Sequence, residues 1–137
     1  MIHLGDALDI GRELGATGGI SQQCLTLYIP SRDRTGREIG NQRMWALRAA
    51  ALLARMGGGV TIMPPVEGGW VDDSGSIIWE STVLVYTFIE PDAFVGLLPD
   101  LKTFLHSLGR ETDQGEVAVE FDGAFYRITE FHEPERL

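Results

Sequence analysis

Arg32, Arg34, Arg37 and Arg43 fall within twelve positions of one another, and with Asp33 and Glu38 they leave a local surplus of two positive charges in a chain of net charge −9. Asn41, between them, is of a residue type that begins helices, and the free N–H groups of a helix's first turn favour anions. Guanidinium groups beside such donors suit a phosphate or a carboxylate. The same residues also read as a solvated loop whose Arg and Asp/Glu side chains pair locally, at about 0–1 kcal/mol per pair.

A second group is Trp70, Trp79 and Glu80, with Glu67 beside them, on what reads as a β-hairpin around Asp72, Asp73, Ser74 and Gly75. A two-residue loop at Ser74–Gly75 sets Trp70 directly opposite Trp79, as a binding platform or an aromatic cross-strand pair. One more loop residue sets Trp70 opposite Ile78 instead and leaves the two rings diagonal. Burying a large apolar side chain is worth roughly 1.5–3 kcal/mol, so core packing or a subunit interface accounts for both tryptophans without a ligand. A third group, Glu116 and Glu120 with Arg127, alternates onto one strand face and reads as a cross-strand charge network. Paired acids there do acid–base work only if burial shifts a pKa.

No Walker-type loop, GxGxxG, GxSxG, CxxC or HExxH pattern occurs. No catalytic residue is assigned, and no cofactor is expected. His3, His106 and His132 are far apart in sequence. His106 shares a polar helix face with Lys102 and is expected to be solvated, and a structural zinc site is not expected. The single cysteine, Cys24, adjoins an apolar run and fits a reduced, buried thiol.

The elements that must hold these residues follow from periodicity. Residues 24–30 form a short apolar strand that stops at Pro30. Asn41 caps a helix over 42–56, where Trp45, Ala49, Leu52, Leu53 and Met56 recur at helical spacing before Gly57, Gly58 and Gly59. A second strand covers 60–63, and a third covers 77–89, apolar on both alternate faces from Val83 to Ile89. Phe94, Leu97, Leu98, Leu101, Phe104, Leu105 and Leu108 mark a second helix opened by Pro91. Pro99 should kink it or begin its second half. Asp122–Gly123 is a two-residue hairpin turn, which pairs Phe121 with Ala124, Val119 with Tyr126 and Val117 with Ile128.

The order βαββαβ with one extra C-terminal strand specifies an α+β domain, a ferredoxin-like plait with both helices on one face of an antiparallel sheet. The expected strand order, counting these five strands along the chain, is 5-4-1-3-2. Residues 1–20, glycine-rich and weakly patterned, form a loosely held arm, and 21–137 a single domain. Because the third strand is apolar on both sides, a second subunit or the arm should cover the face away from the helices, which makes a homodimer the expected assembly.

The chain has 137 residues, 44% of them hydrophobic, the composition of one globular domain. No apolar run is long enough to span a membrane, and Asp6, Asp9 and Glu13 do not suit a signal peptide, so a cytoplasmic protein is expected. Acidity argues against a general nucleic-acid binder.

The phrases LTLYIPSRDRTGREI, MPPVEGGWVDDSG and GRETDQGEVAVEFDGAFYRI together resemble a group of small uncharacterised bacterial proteins. The likeness covers about residues 24–129. It implies a bacterial origin and a plait-like fold and brings no functional residue with it. From the residues themselves, the leading expectation is a dimeric binding or regulatory module for a small anionic ligand or a protein partner. A small cofactor-independent enzyme with Glu80 or Glu116 as acid or base, and an acidic inhibitor or adaptor in phage–host conflict, are the alternatives.

Overall fold

A computed structural model describes residues 8–133. Its elements, in chain order, are α1 (Ile10–Leu14), β1 (Cys24–Ile29), α2 (Gln42–Gly57), β2 (Thr61–Ile62), β3 (Val66–Val71), β4 (Ile77–Phe88), α3 (Pro91–Glu111), β5 (Val117–Phe121) and β6 (Ala124–Ile128).

Local chemistry sets the ends of the helices. Asn41 occupies the N-cap of α2 without a side-chain capping bond, and Gly58, at φ 82°, ends the helix by donating its N–H to the Ala54 carbonyl. Glu90 caps α3 by accepting from the N–H groups of Asp92 (3.2 Å) and Ala93 (2.8 Å), with Pro91 at the first helical position. The expected split at Pro99 does not occur, and α3 runs unbroken from Pro91 to Glu111. Pro99 and Val95 are both exposed, so the Val95 carbonyl that loses its helical partner at the proline faces solvent, where water satisfies it.

The sheet is open, six-stranded and antiparallel throughout, in the order β2-β4-β1-β5-β6. This is the order expected for the five strands read from the sequence. The sixth, β3, was expected only as one side of a hairpin. It pairs with the first half of β4, from Val66 opposite Thr82 to Val71 opposite Ile77, whereas β1 pairs with the second half, from Ile29 opposite Val83 to Cys24 opposite Phe88. The long β4 therefore carries the β3–β4 hairpin outward as an arm. Phe121 opposes Ala124 and Val117 opposes Ile128, the register set by the Asp122–Gly123 turn.

The core lies between one face of this sheet and both long helices. Leu25, Leu27, Ile29, Val85, Val117 and Val119 from the strands meet Trp45, Ala49, Leu53 and Met56 of α2 and Leu101, Phe104, Leu105 and Leu108 of α3. Trp45 and Phe104 join the helices edge to face at 5.8 Å. Gly57 ends α2 hard against β4, where a Cβ would overlap the Thr87 hydroxyl and the Phe88 carbonyl. On the other face, Leu84 and Tyr86 of the inner strand β4 are half-buried and Phe88 and Phe125 exposed. The arm expected to cover that face begins with seven residues, His3 among them, outside the described range, and α1 buries no side chain.

His106 departs from its expected place on a wet helix face. It is only 9% exposed because residues 129–133 return across α3, setting Phe131 edge-on to the imidazole and the His132 ring stacked on it at 5.3 Å. The helical wheel alone could not show a tail from the far end of the chain.

Candidate functional site

Two Asp-anchored turns of the same design shape the site. In the β1–α2 loop, Asp33 Oδ1 accepts from the Thr35 N–H (2.8 Å), the Thr35 hydroxyl (2.6 Å) and the Arg37 N–H (3.1 Å), with Gly36 at φ 85°. In the β3–β4 loop, Asp72 Oδ1 accepts from the Ser74 N–H (2.9 Å), the Ser74 hydroxyl (2.7 Å) and the Ser76 N–H (3.0 Å), with Gly75 at φ 86°. These donors, the Thr35 and Ser74 hydroxyls foremost, hold both carboxyls below the usual aspartate range. The shared pattern, Asp-x-Ser/Thr-Gly-x, closes a five-residue hairpin loop in each case, since the Asp33 N–H reaches the Arg37 carbonyl and the Asp72 N–H the Ser76 carbonyl.

The second turn selects between the two registers left open by the sequence. Trp70 stands opposite Ile78, and Trp79 opposite Gly69. The Trp79 indole fills the place of the absent Gly69 side chain, since a Cβ there would lie 3.0–3.1 Å from its ring atoms. The tryptophans are thus not a directly opposed pair. Trp70 instead donates its Nε1–H to Glu80 Oε2 at 3.2 Å, while Glu80 Oε1 accepts the Ser31 N–H at 3.1 Å. Ser31 Oγ in turn accepts from the Ser81 N–H (3.0 Å), and Gln42 Nε2 donates to the carbonyls of Ile29 (3.1 Å) and Ser81 (2.8 Å). Glu80 and Gln42 therefore pin the hairpin arm to the start of the β1–α2 loop.

Between arm, loop and the first turn of α2 lies an open cleft of about 470 Å³, lined by Ser31, Arg32, Glu38, Gly40, Gln42, Arg43, Glu67, Trp79, Glu80 and Ser81. Arg32, Arg43, Trp79 and Glu80, drawn from two separate sequence candidates, meet here. Arg34 does not, because it pairs with Asp113 at 3.1 Å. Arg37 and Trp70 also lie outside the lining, and Glu116 faces Arg127 at 3.5 Å on β5–β6. Ser31, Glu38, Gly40, Gln42 and Ser81 are lining residues that the sequence did not single out as candidates. The one available signal for Gln42 was its place at the first helical position beside Asn41.

Arg32 is held in the cleft wall, its guanidinium donating to the Gly36 carbonyl (2.9 Å) with Glu38 4.0 Å away. Arg43 is exposed and forms no ion pair among the described residues. An apolar lobe of similar volume, with Ala46, Ile62, Met63, Pro64, Pro65 and Val83, adjoins the cleft across Gln42 and Arg43. The combination can take a ligand that carries both charge signs, through arginines and carboxylates, together with a flat or apolar portion against Trp79 or the neighbouring lobe. No three metal-ligating side chains cluster among the described residues, and none of their helices is long and apolar enough to cross a membrane.

The class these features define is an α+β domain with an open antiparallel sheet and a cleft of mixed charge at the root of a hairpin arm. No protein-family model and no curated sequence matches the chain. Two solved structures of a phage SAM lyase share its fold. One, in complex with S-methyl-5'-thioadenosine, aligns with a TM-score of 0.55 and 16% identity over 83% of this chain and 94% of that one. The other, in the apo state, gives a TM-score of 0.52 and 17% identity over 81% and 92%.

Proposed function

We propose that this chain is a small enzyme that binds SAM in the cleft between the β1–α2 loop and the β3–β4 arm and cleaves it as a lyase. The observation that carries the reading is the convergence of Arg32 and Arg43 with Glu38, Glu67 and Glu80 beside the Trp79 ring in one open cleft. SAM needs such a mixed environment, because it joins an α-carboxylate, an α-ammonium and a sulfonium to a flat adenine. Arg43 takes the carboxylate, Glu67 the ammonium, and Trp79 offers the aromatic face. Glu80, with both oxygens already accepting hydrogen bonds, holds the arm in place rather than moving a proton. The likeness of fold to a phage SAM lyase supports the substrate class.

The step balances without another reactant. The bond from sulfur to the side-chain Cγ of the amino-acid part breaks, and sulfur keeps the electron pair and leaves as the neutral thioether S-methyl-5'-thioadenosine. The carboxylate oxygen of the same molecule forms the new bond to that carbon, giving a lactone. A cleft that holds the amino-acid chain curled for this internal attack accelerates it by orientation alone.

The test is to incubate the purified chain with SAM and quantify S-methyl-5'-thioadenosine by chromatography. Arg43→Ala and Glu67→Gln should each lower its rate of formation at least tenfold, about 1.4 kcal/mol. If no thioether forms and calorimetry detects neither SAM nor its thioether product at millimolar concentration, the reading is wrong.

A second reading, a non-enzymatic module for a small anionic ligand, is favoured by Arg43, which has no ion-pair partner among the described residues, beside the first-turn N–H groups of α2. Carboxylate or phosphate binding abolished by Arg43→Ala, with no turnover of SAM, distinguishes it. With either reading we also propose that the architecture is a ferredoxin-like plait in which β3 is an inserted arm. The open sheet face around Tyr86 and Phe88 pairs with a second copy, and the protein is cytoplasmic and of bacterial origin.

A further inference from the structure

The segment that follows β6 is docked on the last turns of α3 by four contacts. Phe131 sits in a notch that only glycine leaves open, since a Cβ on Gly109 would fall within its ring. The His132 N–H donates to His106 Nδ1 at 2.8 Å, and the Arg110 guanidinium donates to the His132 carbonyl at 2.9 Å. The His132 ring stacks on His106.

The first of these contacts touches a residue that leads to the cleft. The Gly109 carbonyl accepts the Gln114 N–H at 2.9 Å, and Gln114 Nε2 donates to the Arg32 carbonyl at 2.9 Å. Beside it, the Arg34 N–H donates to the Asp113 carbonyl at 2.9 Å. The end of α3 is thus hydrogen-bonded to the loop that presents Arg32.

We propose that residues 129–133 form a proton-released clasp, docked on α3 while His106 is neutral, whose docking holds the Arg32 side of the cleft. This rests on the reading of the cleft as the ligand site, although the clasp itself stands on the contacts above. The chemistry is that of a single acceptor. Nδ1 takes the His132 N–H only when it carries no proton, so the proton of the neutral ring is on Nε2. A second proton converts Nδ1 into a donor facing a donor. Among the described residues, the charged and titratable groups that face His106 are His132 from the returning segment and Lys102 and Arg110 from α3 itself, all of them cationic or able to become so. Burial first, and these charges next, push the imidazole below its ordinary value, which keeps the clasp shut at neutral pH. Because the docked state prefers the neutral ring, its advantage is complete above about pH 6.5, the free-histidine value, and is lost as the pH falls below it.

Amide exchange of the whole chain, followed by NMR between pH 7.5 and 5 and corrected for intrinsic rates, tests this without any ligand. The His132 N–H should lose at least tenfold in protection as the pH falls below about 6.5, and the Arg34 N–H should lose protection over the same range. His106→Asn, which keeps an acceptor near the Nδ1 position but does not titrate there, should make both insensitive to pH. Phe131→Ala should lower both at every pH while the far-ultraviolet circular dichroism stays unchanged. Protection of His132 that is constant with pH in the native chain, or that falls equally in His106→Asn, overturns the clasp. Loss at His132 with Arg34 unaffected overturns its link to the cleft. Failure of SAM to bind bears on neither readout.

Discussion

Replacing Glu80 by Gln tests the joint that builds the cleft. The Glu80 carboxylate accepts the Ser31 N–H at 3.1 Å with one oxygen and the Trp70 Nε1–H at 3.2 Å with the other. A glutamine is nearly the same shape, yet only one of its terminal atoms is an acceptor, so one bond is lost and an amide N–H₂ is turned towards a donor. Hydrogen bonds to a charged group contribute about 1.5–3 kcal/mol when buried. Glu80 is only half-buried and Trp70 is 39% exposed, which lowers the expected cost to about 1–2 kcal/mol. With an unfolding entropy of about 2.1 cal/mol/K per residue over 137 residues, that is a fall in Tm of roughly 3–7 °C. Trp70→Phe removes the indole donor alone, and the double variant should show a coupling of about 0.5–1 kcal/mol in urea unfolding followed by circular dichroism. A Glu80→Gln protein as stable as the native one, with no coupling to Trp70, would refute the view that this carboxylate fastens the arm.

Three further expectations follow from single contacts. Gly57→Ala should destabilise the fold by about 1–3 kcal/mol in urea, despite alanine's better helix propensity, because its Cβ meets the Thr87 hydroxyl and the Phe88 carbonyl; an unchanged midpoint contradicts that packing. Burial, and then the charge of Glu120, raise the Tyr28 phenol above its ordinary value near 10. The unfolded chain ionises first, so stability falls as the pH climbs past about 10, and Glu120→Gln should bring the Tyr28 absorbance titration to lower pH. Phe88→Asp, on the open sheet face, should convert a dimer into a monomer by light scattering, and a native chain that is already monomeric removes the proposed assembly.

The strand order and the C-terminal hairpin were legible because both rest on local signals: Asp122–Gly123 permits one register, and β4 alternates apolar side chains on both faces. The strand β3 was harder to read, since Gly68 and Gly69 weaken its pattern and its partner is the more exposed half of β4, Ile77 to Thr82. His106 was misread because what buries it arrives from residues 129–133. At the cleft, residue types alone found Arg32, Arg43, Trp79 and Glu80, but as two unrelated groups. Their meeting depends on the Glu80 and Gln42 hydrogen bonds across the loop, which have no signature in the spacing. The register of Trp70 was undecided for a nearer reason. The Asp72 turn holds five residues rather than four, and the side-chain bonds to Ser74 and Ser76 that lengthen it were not counted as part of the turn.

The most direct measurement of the cleft's role is a heteronuclear NMR titration of the labelled chain with S-methyl-5'-thioadenosine and with SAM. The cleft reading predicts saturable shifts at the Trp79 indole N–H and at the backbone amides of Ser31, Arg32 and Arg43, with the Trp45 indole, buried between the helices, unmoved. Saturable shifts confined to another surface, or none at millimolar ligand, would contradict it.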